Sequence, residues 1–223
     1  MTFDANIWIE QLKQKVLDEF QKRVIFIGFQ GSYKRNEATP ESDIDMVVIL
    51  DKVDICDLKA YRKIIDTMPH REKACGFISG KKEIQNWTKS DLFQFLYDTK
   101  PLYGNLKDII TEPAKEDIKL AVKTGAQNIY HAACHCFVFD KTPYESLPAL
   151  FKMTFFILQA EYFLKTGEYV STKRELLKKL YDDDREILDI CLKINDIKNR
   201  SVSNEKSEQL FKKLIDWCSN YII

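Results

Sequence analysis

Net charge is what this sequence most plainly lacks: 34 lysines and arginines are cancelled by 34 aspartates and glutamates. Without a basic excess, a broad nucleic-acid footprint is not expected, although the balance leaves room for a local basic patch. Glycine (7) and proline (6) are scarce, which excludes collagen-like and low-complexity chains. No apolar run reads as reaching the roughly 20 residues of a membrane helix, so no membrane partner is expected. The stretch from Met1 to Asn6 has neither a basic segment nor a cleavable apolar one, and no signal peptide is expected. The 6 cysteines follow no framework spacing and read as reduced thiols of a cytoplasmic protein. What the sequence does have is core material. With 45% apolar and 30% charged residues over 223 positions, it suits one large or two small folded domains.

The pattern changes once along the chain. Ile9, Leu12, Val16 and Phe20 recur at helical spacing and predict a helix over 7–21. The β-branched and aromatic run at 23–29 predicts a strand, a polar stretch follows to Glu41, and 44–50 predicts a second strand. A helix over 57–68, a strand over 74–78, a short helix over 81–87 and a closing pair of strands at 92–97 and 101–103 complete this part. After Gly104 the strand signal stops. Helical periodicity then runs to Ile223, with breaks expected near 140–143, 166–171, 182–184 and 200–204. Thr172 and Glu175 have capping-box spacing. The fold expected is an α/β domain with a small mixed sheet over 1–110, followed by an all-helical bundle over 111–223.

The stretch that carries chemistry is G-S-Y-K-R-N-E-A-T-P-E-S-D-I-D-M-V-V, residues 31–48. Asp43 and Asp45 are two apart at a strand, so their side chains share a face. At about 5 Å and an effective dielectric near 20 they repel by roughly 3 kcal/mol. A cation removes that cost, and carboxylate oxygens suit Mg²⁺, which also binds substrate phosphates. Ser42 precedes the pair and is placed to hydrogen-bond the loop. Gly31 and Ser32 follow the preceding strand, where glycine allows close backbone approach and a hydroxyl can hold phosphate oxygens. One strand end thus offers a phosphate cradle and the next offers metal ligands. Together they meet the needs of metal-assisted nucleotidyl transfer. Lys34 and Arg35 either touch phosphate or keep the loop soluble.

The G-S turn, polar loop and S-D-I-D-M-V-V-I strand resemble the nucleotidyltransferase superfamily that includes DNA polymerase beta, and within it the minimal and the aminoglycoside nucleotidyltransferases. The resemblance is strong over 22–50 and fits in element order to about residue 104. It implies Mg²⁺ held by the catalytic pair Asp43 and Asp45, and a nucleotide bound at Gly31, Ser32, Lys34, Arg35 and Ser42. It further implies ATP as donor of AMP to the hydroxyl of a small, aminoglycoside-like acceptor. The helical half is loosely similar to the second domain of the aminoglycoside enzymes. Their turn with a phosphate-binding lysine resembles T-G-E-Y-V-S-T-K, residues 166–173, which implies that Lys173 contacts the triphosphate and that the bundle closes a cleft. Two other readings remain: a protein-modifying, antitoxin-type transferase, and a nucleotide-binding module without catalysis.

The last reading has a specific motive. Family members place a third carboxylate on the strand after the connecting helix, and K-A-C-G-F-I-S-G, residues 73–80, has no Asp or Glu. Glu72 lies at its entrance, Glu83 beyond its exit, and Asp91 and Asp98 flank the next expected strand; either one of these supplies the third carboxylate from an unusual direction or the site is altered. Elsewhere, His131 and His135 at i,i+4 suit either a half-buried helix face or zinc, with Cys134 and Cys136 pointing away. His131 is also a candidate general base. The apolar run at 151–164 predicts the centre of a bundle, and Asp182 to Asp184 predict a solvated helix end or a lure for a cationic antibiotic.

Overall fold

The chain divides into two units, Met1–Glu112 and Pro113–Ile223, in the computed structural model, which describes residues 3–198 and 204–223. The first unit opens with α1 (Ala5–Phe20), started by Asp4, whose carboxylate accepts from the N–H groups of Asn6 at 2.8 Å and Ile7 at 3.2 Å. Trp8, Ile9, Leu12, Val16 and Phe20 bury one face of it. There follow β1 (Val24–Gln30), α2 (Gly31–Lys34), β2 (Ile44–Leu50), α3 (Ile55–Asp66), β3 (Ala74–Gly80), α4 (Lys81–Gln85), α5 (Lys89–Tyr97) and β4 (Lys100–Tyr103). The sheet runs β3-β2-β1-β4. β1 is antiparallel to β2 and to β4, whereas β2 and β3 are parallel and joined through α3. The sheet is small and mixed, as expected from the sequence, with four strands.

β2 is buried on both faces, which is why it reads as a continuous apolar run. Ile44, Met46, Val48 and Leu50 share a core with Trp8, Leu12 and Val16 of α1 and Ile64 of α3. Val47 and Ile49 share the opposite core with Ile84 of α4 and with Leu92, Phe95 and Leu96 of α5. Each such side chain contributes about 1.5–3 kcal/mol of burial. A one-residue slip would exchange the faces and bury Asp45, so these contacts fix its direction.

Residues 92–97 are helical, not the strand expected. The alternation in L-F-Q-F-L-Y mimics a strand, but Leu92, Phe95 and Leu96 lie at helical spacing and enter one core together. Only β4 of the expected pair forms.

The second unit is helical as expected: α6 (Lys115–Phe139), a short 3₁₀ turn (Pro143–Ser146), α7 (Leu147–Thr166), α8 (Lys173–Leu177), α9 (Asp182–Lys198) and α10 (Asn204–Ile222). The Asp117 carboxylate accepts from the Ala114 N–H at 2.8 Å at the start of α6. Thr172 caps α8 by accepting from the Glu175 N–H at 3.3 Å, as the capping-box spacing implies. Pro143–Thr166 is, by length and composition, apolar enough to cross a membrane, which corrects the reading that no run is. Half of its most apolar window is buried inside the protein, and Phe151, Phe155 and Leu158 are core residues, so it serves as the central helix of the bundle. α9 starts at Asp182, where a break was expected, and Asp184 is no solvated end. It accepts from Trp217 Nε1 at 2.8 Å and from the Tyr221 hydroxyl at 2.7 Å, tying α10 to α9. The break expected at 200–204 falls almost wholly outside the described residues.

Candidate active site

Asp43 immediately precedes β2 and Asp45 is its second residue, on the same face as Val47 and Ile49. Along that face Ile49 and Val47 are buried, Asp45 is half-buried and Asp43 is exposed. The apolar cover therefore ends where the carboxylates begin, and the pair sits at the mouth of the α5-side core.

Gly31 faces them. β1 and β2 pair Gln30 with Asp45, which brings the residue after β1 against that carboxylate. A Cβ on Gly31 would lie 2.0 Å from Asp45 Oδ2, and Gly31 also has φ +74°, in the left-handed region. Glycine is thus required twice over here, for backbone conformation and for room. Ser32 is half-buried in α2, beside this contact.

The third member lies on β3. The parallel register pairs Asp45 with Cys75. Ligand atoms of Asp43, Asp45 and Cys75 all lie within 4.8 Å of one another. Gly76 lets β3 come this close: its φ is +136°, and a Cβ there would meet the Met46 carbonyl oxygen at 1.9 Å. Partial burial, then the negative charges of Asp45 and Asp43 and a hydrogen bond to Asp43, push the Cys75 thiol above its usual range. Cys75 is the residue that the sequence reading missed. The signal was the absence of a carboxylate in 73–80. Only the strand register shows what stands there instead.

The loop between β1 and β2 is held from both ends. Lys34 Nζ donates to the Tyr97 carbonyl and to Asp98 Oδ1, each at 3.2 Å. Arg35, 6% exposed, pairs with the other Asp98 oxygen and reaches Glu37 Oε2 at 3.4 Å. Burial raises the Asp98 carboxyl above its ordinary value, opposed by the two cations. Lys34 and Arg35 therefore turn into the protein, and neither keeps the loop soluble. At the other end Ser42 Oγ accepts from the Thr39 N–H at 2.9 Å, the loop bond expected of it. Lys73 Nζ donates to the carbonyls of Pro40 at 2.6 Å and Ser42 at 3.2 Å, pinning this turn beside β3.

Lys173 belongs to the helical unit. It is the first residue of α8, half-buried, with Nζ 4.9 Å from the centre of the Phe155 ring. His131 and His135 are both exposed, not half-buried, with ring centres 6.2 Å apart. The cluster formed there is His135, Cys136 and Asp140, within 4.8 Å, so Cys136 does not point away from His135. None of the six cysteines is in a disulfide.

The model of the nucleotidyltransferase domain matches residues 9–127, more than half of the chain. The chain belongs to the nucleotidyltransferase family. No curated protein sequence matches it. Among solved structures it is similar to the spectinomycin adenyltransferase AAD(9) from Enterococcus faecialis, crystallised with ATP and spectinomycin. The TM-score is 0.58 and the identity 14%, covering 97% of this chain and all of that one. It also matches a toxin–antitoxin structure with AMP-PNP (TM-score 0.34, 18% identity, 60% of this chain and 97% of that one). A mutant of the MntA-HpeT toxin–antitoxin matches at TM-score 0.33 and 17% identity, again over 60% of this chain and 97% of that one. At 14% identity the likeness to the adenyltransferase speaks to fold alone. For a nucleotidyltransferase the donor set is apt: two hard carboxylates at one strand end are the ligand type a phosphate-bridging divalent cation takes.

Proposed function

We propose that this nucleotidyltransferase moves AMP from ATP to a hydroxyl of a small molecule, at the site formed by Asp43, Asp45, Gly31 and Ser32. The observation that carries the reading is the convergence of Asp43 and Asp45 at one strand end, opposite a glycine that leaves room for Asp45. The two carboxylates would hold Mg²⁺, which when bound offsets phosphate charge. Without a cation, charges within 4.8 Å repel by roughly 3 kcal/mol at an effective dielectric near 20. Ser32 would donate to a phosphate oxygen. Lys34 and Arg35 would serve by holding the loop on Asp98, and Ser42 by closing its far turn. In the reaction the acceptor oxygen bonds to the α-phosphorus, pyrophosphate departs, and the hydroxyl proton passes to water.

The test is ATP with Mg²⁺ and a panel of hydroxyl-bearing small molecules, aminoglycosides included, read by pyrophosphate release and by the mass of the acceptor. An acceptor heavier by one AMP supports the reading. A mass gain of one AMP on a protein instead indicates the protein-modifying activity. ATP binding with no pyrophosphate in any mixture indicates a nucleotide-binding module.

A further inference from the structure

Cys75 stands beside Asp45 across the parallel pair of β2 and β3, with its sulfur within 4.8 Å of both carboxylates. It is exposed, so no packing requirement explains a sulfur there. Gly76 holds β3 against β2 at this point through a contact that no side chain could enter. The strand position that faces the metal pair therefore presents a soft ligand in place of a hard one.

Mg²⁺ needs only one or two carboxylates, keeps several waters and has little affinity for sulfur. Cations of the zinc class bind carboxylate and thiolate together. We propose that Cys75 makes this a mixed site, which a thiophilic divalent cation occupies through all three side chains and from which it displaces Mg²⁺. The sulfur–metal bond forms as the thiol gives its proton to solvent, with no change of oxidation state. The proposal rests on the reading of Asp43 and Asp45 as metal ligands, and its test separates the two.

The probe is Cd²⁺, titrated into the full chain carrying Cys56→Ser, Cys134→Ser and Cys136→Ser. These changes remove the other exposed or half-buried thiols, including the one beside His135 and Asp140. Sulfur-to-cadmium charge-transfer absorption and calorimetric affinity are read together, and circular dichroism checks each fold. The expected result is a saturable absorption band that Mg²⁺ at high concentration suppresses. Adding Cys75→Ser should abolish the band and weaken Cd²⁺ by roughly tenfold or more, the scale on which metal sites respond even to loss of supporting residues. The same change should leave Mg²⁺ affinity within about twofold, since carboxylates alone serve that ion. Cd²⁺ bound through Asp43 and Asp45 with no band overturns the role of Cys75 and leaves the carboxylate site standing. Cd²⁺ binding that Asp43→Asn and Asp45→Asn leave unchanged overturns both.

Discussion

Gly31 and Asp45 occupy each other's space: a methyl group on Gly31 would overlap the Asp45 carboxylate, 2.0 Å from Oδ2. The glycine reads in the sequence as room for phosphate. In the structure it is first of all room for the Asp45 carboxylate, and the left-handed backbone at φ +74° adds a second demand on the same residue.

Gly31→Ala therefore has two effects. Backbone strain of this kind costs about 1–3 kcal/mol of stability, and the new methyl pushes Asp45 out of the site. The expected outcome is a folded protein, modestly lower in thermal midpoint, that has lost Mg²⁺ binding. Unchanged Mg²⁺ affinity in calorimetry contradicts the contact.

The proposed phosphate contacts predict a graded pattern. Ser32→Ala loses one hydrogen bond to a charged group and weakens ATP by about 1–3 kcal/mol. If Lys173 binds the triphosphate, as the resemblance implies, Lys173→Ala weakens ATP and spares AMP, which lacks the β and γ phosphates. ATP affinity equal to the parent in either variant removes that residue from the site.

Asp98→Asn leaves Arg35 and Lys34 facing a neutral group. Removing one partner of a buried ion pair costs about 3–5 kcal/mol. Chemical denaturation should show a loss on that order, with Arg35→Met and Asp98→Leu together losing less than Asp98→Asn alone. A cost near zero for Asp98→Asn would show that the loop is anchored elsewhere.

The unit also carries an acid-sensitive clamp. Arg23 donates to both oxygens of Asp57, at 2.6 and 2.9 Å, and to Asp51 at 3.0 Å. The Arg23 guanidinium holds the Asp57 carboxyl down to about 2. A lowered pKa means stability that is fully present above the ordinary carboxylate value near 4 and lost as pH falls toward about 2. Because Arg23 is about one-third exposed, the contribution is on the order of 1 kcal/mol. Unfolding between pH 5 and 2 (roughly that window) should lose this increment in the parent and not in Arg23→Met. Parallel curves for the two proteins would exclude the clamp.

Local signals made the carboxylate pair legible, and long-range ones hid the cysteine beside it. The same-face spacing of Asp43 and Asp45, the G-S turn and the apolar β2 are all written within twenty or so consecutive residues, where strand alternation decides the geometry. Cys75 is not legible that way, because its nearness to Asp45 is a matter of register between strands joined through α3. Lys34 and Arg35 read as loop cations; their destination, Asp98, lies at the end of α5, a helix that the sequence disguises as a strand. The exposure of His131 and His135 depends likewise on which faces of α6 the other helices cover, which periodicity alone does not fix.

On the proposed function, Asp43 and Asp45 bind the cation that makes nucleotidyl transfer possible. Mg²⁺-dependent release of pyrophosphate from ATP, measured side by side for the parent and for Asp45→Asn, tests it most directly. The expected result is loss of turnover by roughly a hundredfold or more, the scale on which single groups stabilising transition-state charge act, with the circular dichroism spectrum retained. Turnover in Asp45→Asn equal to that of the parent would contradict it.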